Sequence, residues 1–214
     1  MARNAHPEVT ERRILDAAQK LFFTKGYENT SIQDIVDQLG DLSKGAIYHH
    51  FKSKKAILDR LTEDDWQATN AKYADIAART DINGLAKLRL MIQEAIGNEQ
   101  HNKLNQVSIS FLDDPQTLAS NLRFWATELP KRWQPFIEEG VRDGSIPTAY
   151  PREAAELISL LSNYWLLTHF YPATRSELRH RVTCLATMLT AIGVPVFNDE
   201  LIDLTVNFYM SYNA

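Results

Sequence analysis

The sequence predicts an all-α protein. Apolar residues recur at helical spacing along nearly the whole chain, and no stretch shows the strict alternation of a half-buried strand. Glycines and prolines fall mostly between these periodic stretches, where turns are expected. With 214 residues, of which 44% are apolar and 23% charged, the chain has a globular composition and is long enough for a small domain and a larger one.

Two helices are predicted first. The helix over 8–25 carries apolar residues on one face and stops at Gly26, the usual glycine after a helix end. The second helix follows Thr30, which we expect to be its N-cap, with Gln33 reaching back in a capping box. Gly40 ends this second helix.

A third short helix begins after Ser43, which is a favoured N-cap residue. Ile47 and Phe51 lie four positions apart, so we expect both to face the core of this region. Tyr48 and His49 then point outward. A fourth, longer helix follows directly.

The remaining chain reads as further helices separated by glycine and proline. Pro130 and Pro135 are expected to kink or split the third of these periodic segments. The segments are 82–98, 101–112, 115–143, 151–170, 174–192 and 198–212.

Basic residues are concentrated near the end of the first region. Residues 1–55 carry nine Lys and Arg against seven Asp and Glu, a net charge of +2, whereas the remainder of the chain carries −6. Between residues 42 and 60, five basic residues stand against one acidic residue. A basic patch on an acidic body is the electrostatic footprint of a protein that meets phosphates at one end. A solvated lysine-rich surface is the alternative.

Two short helices joined by a tight, glycine-containing turn form a helix-turn-helix, whose second helix presents its N-terminal residues to the DNA major groove. Here those residues are Ser43, Lys44 and Gly45. Lys44, Lys54 and Lys55 each fall in a first helical turn, where the dipole disfavours a cation by about 0.3–1 kcal/mol. A bound phosphate would remove that cost. Gly45 costs about 1 kcal/mol relative to Ala, which makes sense where the backbone must approach another molecule closely.

Other kinds of site find little support in the sequence. Cys184 is the single cysteine, which excludes an internal disulfide or a thiolate cluster. His49 and His50 are adjacent, and neighbouring helical positions do not face each other, so we expect no metal there. We find no nucleophile–base pair and no phosphate loop, so we expect no cofactor and no enzyme. The N-terminus has no secretory signal and no apolar run reaches the ~18 residues of a membrane span, which predicts a cytoplasmic protein.

The stretch 10–61 resembles the DNA-binding domain of TetR/AcrR-family transcriptional regulators. The residues that carry the resemblance are Ile14-Leu15-Asp16-Ala17-Ala18, Leu21-Phe22, Lys25-Gly26-Tyr27, Thr30-Ser31-Ile32, Asp34-Ile35, Ser43-Lys44-Gly45-Ala46-Ile47-Tyr48-His49-His50-Phe51 and Lys52-Ser53-Lys54.

The resemblance implies a ligand-responsive repressor that binds a near-palindromic double-stranded operator as a homodimer and is released by a small-molecule effector. We therefore expect residues 1–55 to be the DNA-binding domain and 56–214 to bind the effector and dimerise, without any membrane partner. The DNA-contacting set that the resemblance implies is Thr30, Ser31, Gln33, Ser43, Lys44, Gly45, Tyr48, His49 and Lys54.

The turn between the second and third helices departs from the family pattern. The family usually has Gly-hydrophobic-Ser, whereas this chain has Gly40-Asp41-Leu42-Ser43, which is one residue longer. We expect the extra residue to alter how the recognition helix is presented to DNA. Gln33 and His49 are the contacts that such a change would shift most.

In the family architecture, the segments 151–170 and 174–192 occupy the place of the dimer helices. The interface predicted from their apolar stripes is Leu157, Leu160, Leu161, Tyr164, Leu178, Val182, Leu185, Met188 and Leu189. Aromatic residues and polar anchors suggest an effector pocket, although packing in the core or the dimer interface is the favoured explanation for any single aromatic ring. The pocket set is Trp125, Trp133, Gln106, Tyr164, Trp165 and His169.

Two alternatives stay open at this point. An activator or a ligand-independent architectural protein would use the same DNA-binding domain. A helical enzyme with a vestigial N-terminal region is the alternative from another class of protein, and the absence of a recognisable catalytic constellation disfavours it.

Overall fold

The computed structural model describes residues 7–213, and this part of the chain contains helices and no strands. The first six residues, on which part of the secretory-signal expectation depends, lie outside it. The all-α prediction is confirmed. The helices are α1 (Pro7–Lys25), α2 (Ile32–Leu39), α3 (Lys44–His50), α4 (Lys54–Ala78), α5 (Gly84–Gly97), α6 (Glu99–Ser108), α7 (Pro115–Thr127), α8 (Pro130–Asp143), α9 (Pro151–Leu160), α10 (Arg175–Ala191) and α11 (Asp199–Met210).

Contacts divide the described chain into two compact units. Unit 1 comprises the residues up to Thr69 together with 103–107, and unit 2 comprises 70–102 and the residues from Ser108 onward. Helix α4 therefore contributes its first part to unit 1 and its last part to unit 2. The functional boundary after residue 55 stays a prediction.

Unit 1 is built around a small apolar core. Ile14 and Ala18 of α1, Ile35 of α2, Ile47 of α3 and Ile57 of α4 are completely buried. A fully buried isoleucine contributes about 1.5–3 kcal/mol. The burial of Ile47 confirms the inward orientation that the sequence predicts for it.

The predicted N-cap of α2 is wrong by one residue. Ser31 is the N-cap: its hydroxyl accepts a hydrogen bond from the Asp34 amide at 3.1 Å, and the Asp34 carboxylate accepts one from the Ser31 amide at 2.7 Å. Thr30 is 2% exposed, and its hydroxyl donates to the Gly26 carbonyl at 2.7 Å. Thr30 is thus held against the preceding turn, and Gln33 bonds Asp37 instead of reaching back.

In unit 2, α8 packs against α5 and α9, and α11 packs against α5 and α10. Helices α5 and α8 approach each other backbone to backbone at Gly84 and Gly140. A Cβ atom on Gly84 would lie 2.2 Å from the Gly140 nitrogen. A side chain at position 84 would therefore overlap the backbone of α8.

A buried ion pair joins three helices of unit 2. The Lys87 side chain of α5 is 4% exposed, and its ammonium donates to Glu139 of α8 at 2.7 Å. It also donates to the Ala77 carbonyl near the end of α4 at 3.0 Å. The buried charge is thereby both paired and hydrogen-bonded, which is the condition under which burial is tolerated.

The break expected at Pro130 is confirmed, because α7 ends at Thr127 and Pro130 starts α8. Pro135, in contrast, lies inside α8 and does not end it. The predicted helix 151–170 stops at Leu160 and continues as a π-helical turn over Leu161–Trp165. Tyr209 of α11 donates to the Ser162 carbonyl at 2.5 Å and thereby satisfies a backbone group freed by this turn. Burial raises the pKa of the Tyr209 hydroxyl.

No helix in the described part of the chain has the length and apolar character needed to cross a membrane.

Candidate nucleic-acid interface

Helices α2 and α3 form the predicted helix-turn-helix. α2 ends at Gly40, whose φ of +76° is the left-handed conformation that glycine adopts without strain. α3 begins after Ser43, whose hydroxyl accepts a hydrogen bond from the Ala46 amide at 3.2 Å. Ile47 and Phe51 are buried, which anchors α3 to the core of unit 1.

The longer turn is attached to α1 by an ion pair. Arg13 of α1 donates to the Asp41 carboxylate at 2.6 Å. This hydrogen bond lowers the pKa of Asp41 and raises that of Arg13. The side chain added by the longer turn thus has a defined partner, which the sequence analysis did not identify. No spacing rule connects positions 13 and 41.

The opposite face of α3 is exposed, as predicted. Tyr48 is 41% exposed, and Lys44, Gly45 and His49 are also exposed. A Cβ atom on Gly45 would meet only the Ser43 hydroxyl, at an ordinary 3.8 Å. Packing within the described chain therefore gives no reason for a glycine at this position.

The three lysines at helix N-termini have different surroundings. Within residues 7–213, the Lys44 ammonium makes no hydrogen bond or ion pair. Lys55 pairs with Asp59 at 2.8 Å. Lys54 donates to the Tyr27 carbonyl at 2.6 Å and lies 4.0 Å from the centre of the Tyr27 ring. Intramolecular partners therefore offset the dipole cost at Lys54 and Lys55, and the phosphate hypothesis rests most directly on Lys44.

The first turn of α2 requires one correction to the predicted contact set. Thr30 is buried and faces Gly26, so its side chain is not available to DNA. Ser31 and Gln33 are exposed. Lys25 donates to Asp34 at 2.6 Å, and hydrogen bonds from Lys25 and Ser31 lower the pKa of that carboxylate.

Within the part of the chain that the structure describes, no cluster of three His, Cys, Asp or Glu side chains has the arrangement of a metal site. The rings of His49 and His50 lie 5.6 Å apart, edge to face.

The residues predicted for the effector pocket have different environments. Trp125 and Trp133 are buried in the core of unit 2 at 7% exposure each. Trp165 lines a shallow surface groove together with His180 and Cys184 of α10. Gln106 belongs to unit 1.

The two other residues of the predicted pocket lie close to Trp165 in sequence and belong to unit 2. His169 contacts the Asp113 carboxylate at 2.8 Å. Tyr164 packs against Phe170 with ring centres 4.7 Å apart.

Four residues of the predicted dimer interface are wrong. Leu178, Val182, Leu185 and Leu189 of α10 are no more than 1% exposed, because this stripe faces the core of its own subunit. Met188, in contrast, is 42% exposed. On the preceding segment, Leu160 is 38% exposed, and Leu157, Leu161 and Tyr164 are half-buried.

Helices α1 to α3 form a three-helix head in which α3, the second helix of the helix-turn-helix, has one exposed face. This arrangement defines a DNA-binding regulator of transcription. Residues 14–61 match the family described as bacterial regulatory proteins, tetR family. The HTH-type transcriptional repressor KstR2 of Mycobacterium tuberculosis (strain CDC 1551 / Oshkosh) is 33% identical over 144 residues, which is 64% of this chain and 70% of that protein. The chain belongs to the TetR family of transcriptional regulators, which are DNA-binding proteins and not enzymes.

Two further comparisons agree with this assignment. The KstR2 repressor of Rhodococcus jostii (strain RHA1) is 29% identical over 163 residues, which is 74% of this chain and 78% of that protein. The crystal structure of a TetR-family regulator from Pectobacterium atrosepticum has the same fold, with a TM-score of 0.62 at 22% identity over 90% of this chain and 98% of that one.

Proposed function

We propose that this protein is a transcriptional repressor that binds a near-palindromic operator as a homodimer and leaves it when a small-molecule effector binds. The observation that carries the proposal is α3, which buries Ile47 and Phe51 and presents Lys44, Gly45 and Tyr48 to solvent. One face of α3 is thus buried against the other helices of the head, and the opposite face is available for the major groove.

The proposed DNA contacts keep the predicted set except for Thr30. Lys44 and the N-terminal amides of α3 approach a phosphate, where the helix dipole favours negative charge. Gly45 lets the backbone come close, and Tyr48 reaches phosphate or a base edge. Lys54 contributes through the N–H groups not used by Tyr27, because an ammonium has three donors. The remaining members of the proposed set are Ser31, Gln33, Ser43 and His49.

The proposed dimer joins two copies through the exposed side of α9, the following π-helical turn and α10. Leu160 and Met188 are the large apolar side chains that this surface leaves in water. A two-fold axis there would present two α3 helices to half-sites about one helical turn apart, or somewhat more. We propose the cytoplasm as the location of the protein, since its partner is DNA.

Repression is supported by the relatives from Mycobacterium tuberculosis and Rhodococcus jostii, both of which are transcriptional repressors. Release by an effector is a further part of the proposal. In this proposal an effector that prefers one arrangement of α4 over another shifts the equilibrium away from the DNA-binding state. The domain division proposed from the sequence, with DNA binding before residue 55 and effector binding and dimerisation after it, follows from the same reasoning.

Footprinting of the purified protein on the DNA upstream of its own coding region tests the proposal. We expect a protected, near-palindromic site, and lower transcription from that promoter when protein is added. Increased transcription would identify an activator, and unchanged transcription an architectural protein. Failure of the folded protein to protect any site would contradict the proposal. Repeating the footprint in the presence of a panel of metabolites tests which of them releases the protein from its site.

A further inference from the structure

Four side chains of unit 2 form a cluster between the last part of α4 and the start of α8. The Tyr73 ring of α4 packs against the Trp133 ring of α8, with ring centres 6.3 Å apart. The guanidinium of Arg132 lies over the face of the same tyrosine, 5.3 Å from its centre. Arg132 also donates a hydrogen bond to the Asn70 side chain, one turn earlier on α4.

Trp133 has a buried donor that lacks an acceptor. The residue is 7% exposed, and its indole Nε1 is shielded from solvent without a hydrogen-bond partner among residues 7–213. Buried N–H groups in folded proteins are nearly always paired, so an unpaired one is a position at which an acceptor from outside the protein can bind. The indole nitrogen is a donor only, which means that the missing group must be an acceptor.

The preceding residue on α8, Arg132, carries a partly desolvated cation that contacts the same Tyr73 ring. Burial lowers the pKa of Arg132 to about 10, although its guanidinium stays protonated at neutral pH. A guanidinium carries five N–H donors in a planar fork whose geometry matches the two oxygens of a carboxylate. Leu129 and Phe136, about one helical turn before and after Trp133, are buried apolar residues of the same core.

We infer that this cluster is the polar end of the effector site, and that the effector is a mainly apolar molecule with a single carboxylate. The inference rests on the proposed function and specifies its ligand class. One carboxylate oxygen accepts from the Trp133 indole and the other from Arg132. A monoanion balances one guanidinium, whereas a doubly charged phosphate would leave an uncompensated charge in an apolar site.

The same contact provides a way to regulate the protein. Arg132 joins α8 to α4 through Asn70 and Tyr73. In this inference, a carboxylate held between Arg132 and the Trp133 indole draws the guanidinium away from Asn70. Binding therefore weakens an attachment of α4, which is a differential interaction of the kind that a ligand-driven shift requires.

Calorimetric titration of the full-length protein tests the inference with 4-phenylbutanoate and decanoate, each compared with its primary amide. We expect each acid to bind at least about tenfold more tightly than its amide, a difference of about 1.4 kcal/mol. R132Q should abolish this preference while the amide affinity stays the same. W133F keeps an aromatic ring but removes the N–H donor, so it should weaken binding of the acid by about threefold or more. R123Q, which removes an exposed positive charge from α7, is the control and should bind as the wild type.

Equal affinity for acid and amide, absence of binding by either acid, or an unchanged preference in both R132Q and W133F would overturn the inference. Melting curves verify that the variants are folded, and W133F provides the test if R132Q does not fold. Operator binding without ligand is measured on the same samples. Loss of the acid preference with operator binding intact supports the ligand assignment, whereas acid binding by a protein that recognises no operator would contradict the proposed function alone.

Discussion

Arg13 of α1 donates a 2.6 Å hydrogen bond to Asp41, the acidic residue of the longer turn that precedes α3. The contact fixes the turn relative to α1, and the turn leads directly into the Ser43 N-cap of α3. An exposed ion pair of this kind adds little to global stability. We expect the ion pair to act instead by fixing the orientation of the recognition helix, α3.

R13A and D41A should therefore each weaken operator binding by about two- to fivefold while the melting temperature changes little. The double variant should be no weaker than the worse single variant, because both changes remove the same contact. Fluorescence anisotropy with operator DNA measures the coupling. Strictly additive losses would show that Asp41 does not act through Arg13.

Gly45→Ala separates folding from DNA binding. Alanine has the higher helix propensity by about 1 kcal/mol, and a Cβ atom at this exposed position meets only Ser43. We expect an equal or higher free energy of unfolding together with at least about tenfold weaker operator binding. Urea denaturation and anisotropy on the same preparation measure the two quantities. Full operator affinity in this variant would show that the backbone does not approach DNA at Gly45.

Lys44→Ala should weaken binding to operator and to unrelated DNA alike. Loss of one phosphate contact reduces the slope of log affinity against log salt by about 1. Lys131→Ala, which removes an exposed lysine from α8 of unit 2, is the control and should leave the slope unchanged. The same slope in both variants would remove Lys44 from the contact set.

Gly84→Ala should destabilise the protein by about 1–3 kcal/mol, because its Cβ would overlap the backbone of Gly140. Gly97→Ala, on the same helix, meets nothing within 4 Å and is the matched control. For a chain of this size each kcal/mol corresponds to about 2–4 °C in melting temperature. A similar melting temperature for the two variants would contradict the close crossing of α5 and α8.

The Asp34 carboxylate should contribute to the acid sensitivity of the head. Hydrogen bonds from Lys25 and Ser31 lower its pKa in the folded protein. Its contribution to the free energy of unfolding is therefore present above the unfolded-state pKa of about 4 and is lost as the pH falls toward the folded-state pKa. D34N should thus be less stable than the wild type at pH 7 and lose less stability between about pH 5 and pH 2. D37N, on the same helix, is the control, and an identical acid profile for the two variants would argue against this role.

Met188→Glu and Leu160→Glu test the corrected dimer surface. Both side chains are exposed in the subunit, so the variants should fold, sediment as monomers and bind the operator poorly. Leu185→Glu should instead unfold the subunit, because it places a charge in the core. Leu204→Glu on α11, a position of similar exposure, is the control for an added charge. A dimeric Met188→Glu variant would locate the interface elsewhere.

Features that depend on near neighbours along the chain could be predicted from the amino-acid sequence alone. Apolar spacing predicted the helices and the inward positions Ile47 and Phe51, and N-cap chemistry predicted the start of α3 at Ser43. Gly40 marked the end of α2, since a left-handed residue favours glycine wherever it occurs. These signals act over three or four residues, so they can be recognised without knowledge of the fold.

The contacts between residues far apart in the chain became known only from the packing of the helices. An apolar stripe on α10 predicts that something covers Leu178 and Val182, but both a partner subunit and the subunit's own core satisfy that pattern, and the core is what covers them. Thr30 and Ser31 are both good N-caps, and the choice follows from the burial of Thr30. Lys54 meets Tyr27, and Arg13 meets Asp41, across 27 and 28 positions. Such pairings depend on how the helices pack, because side-chain chemistry alone leaves many equivalent partners.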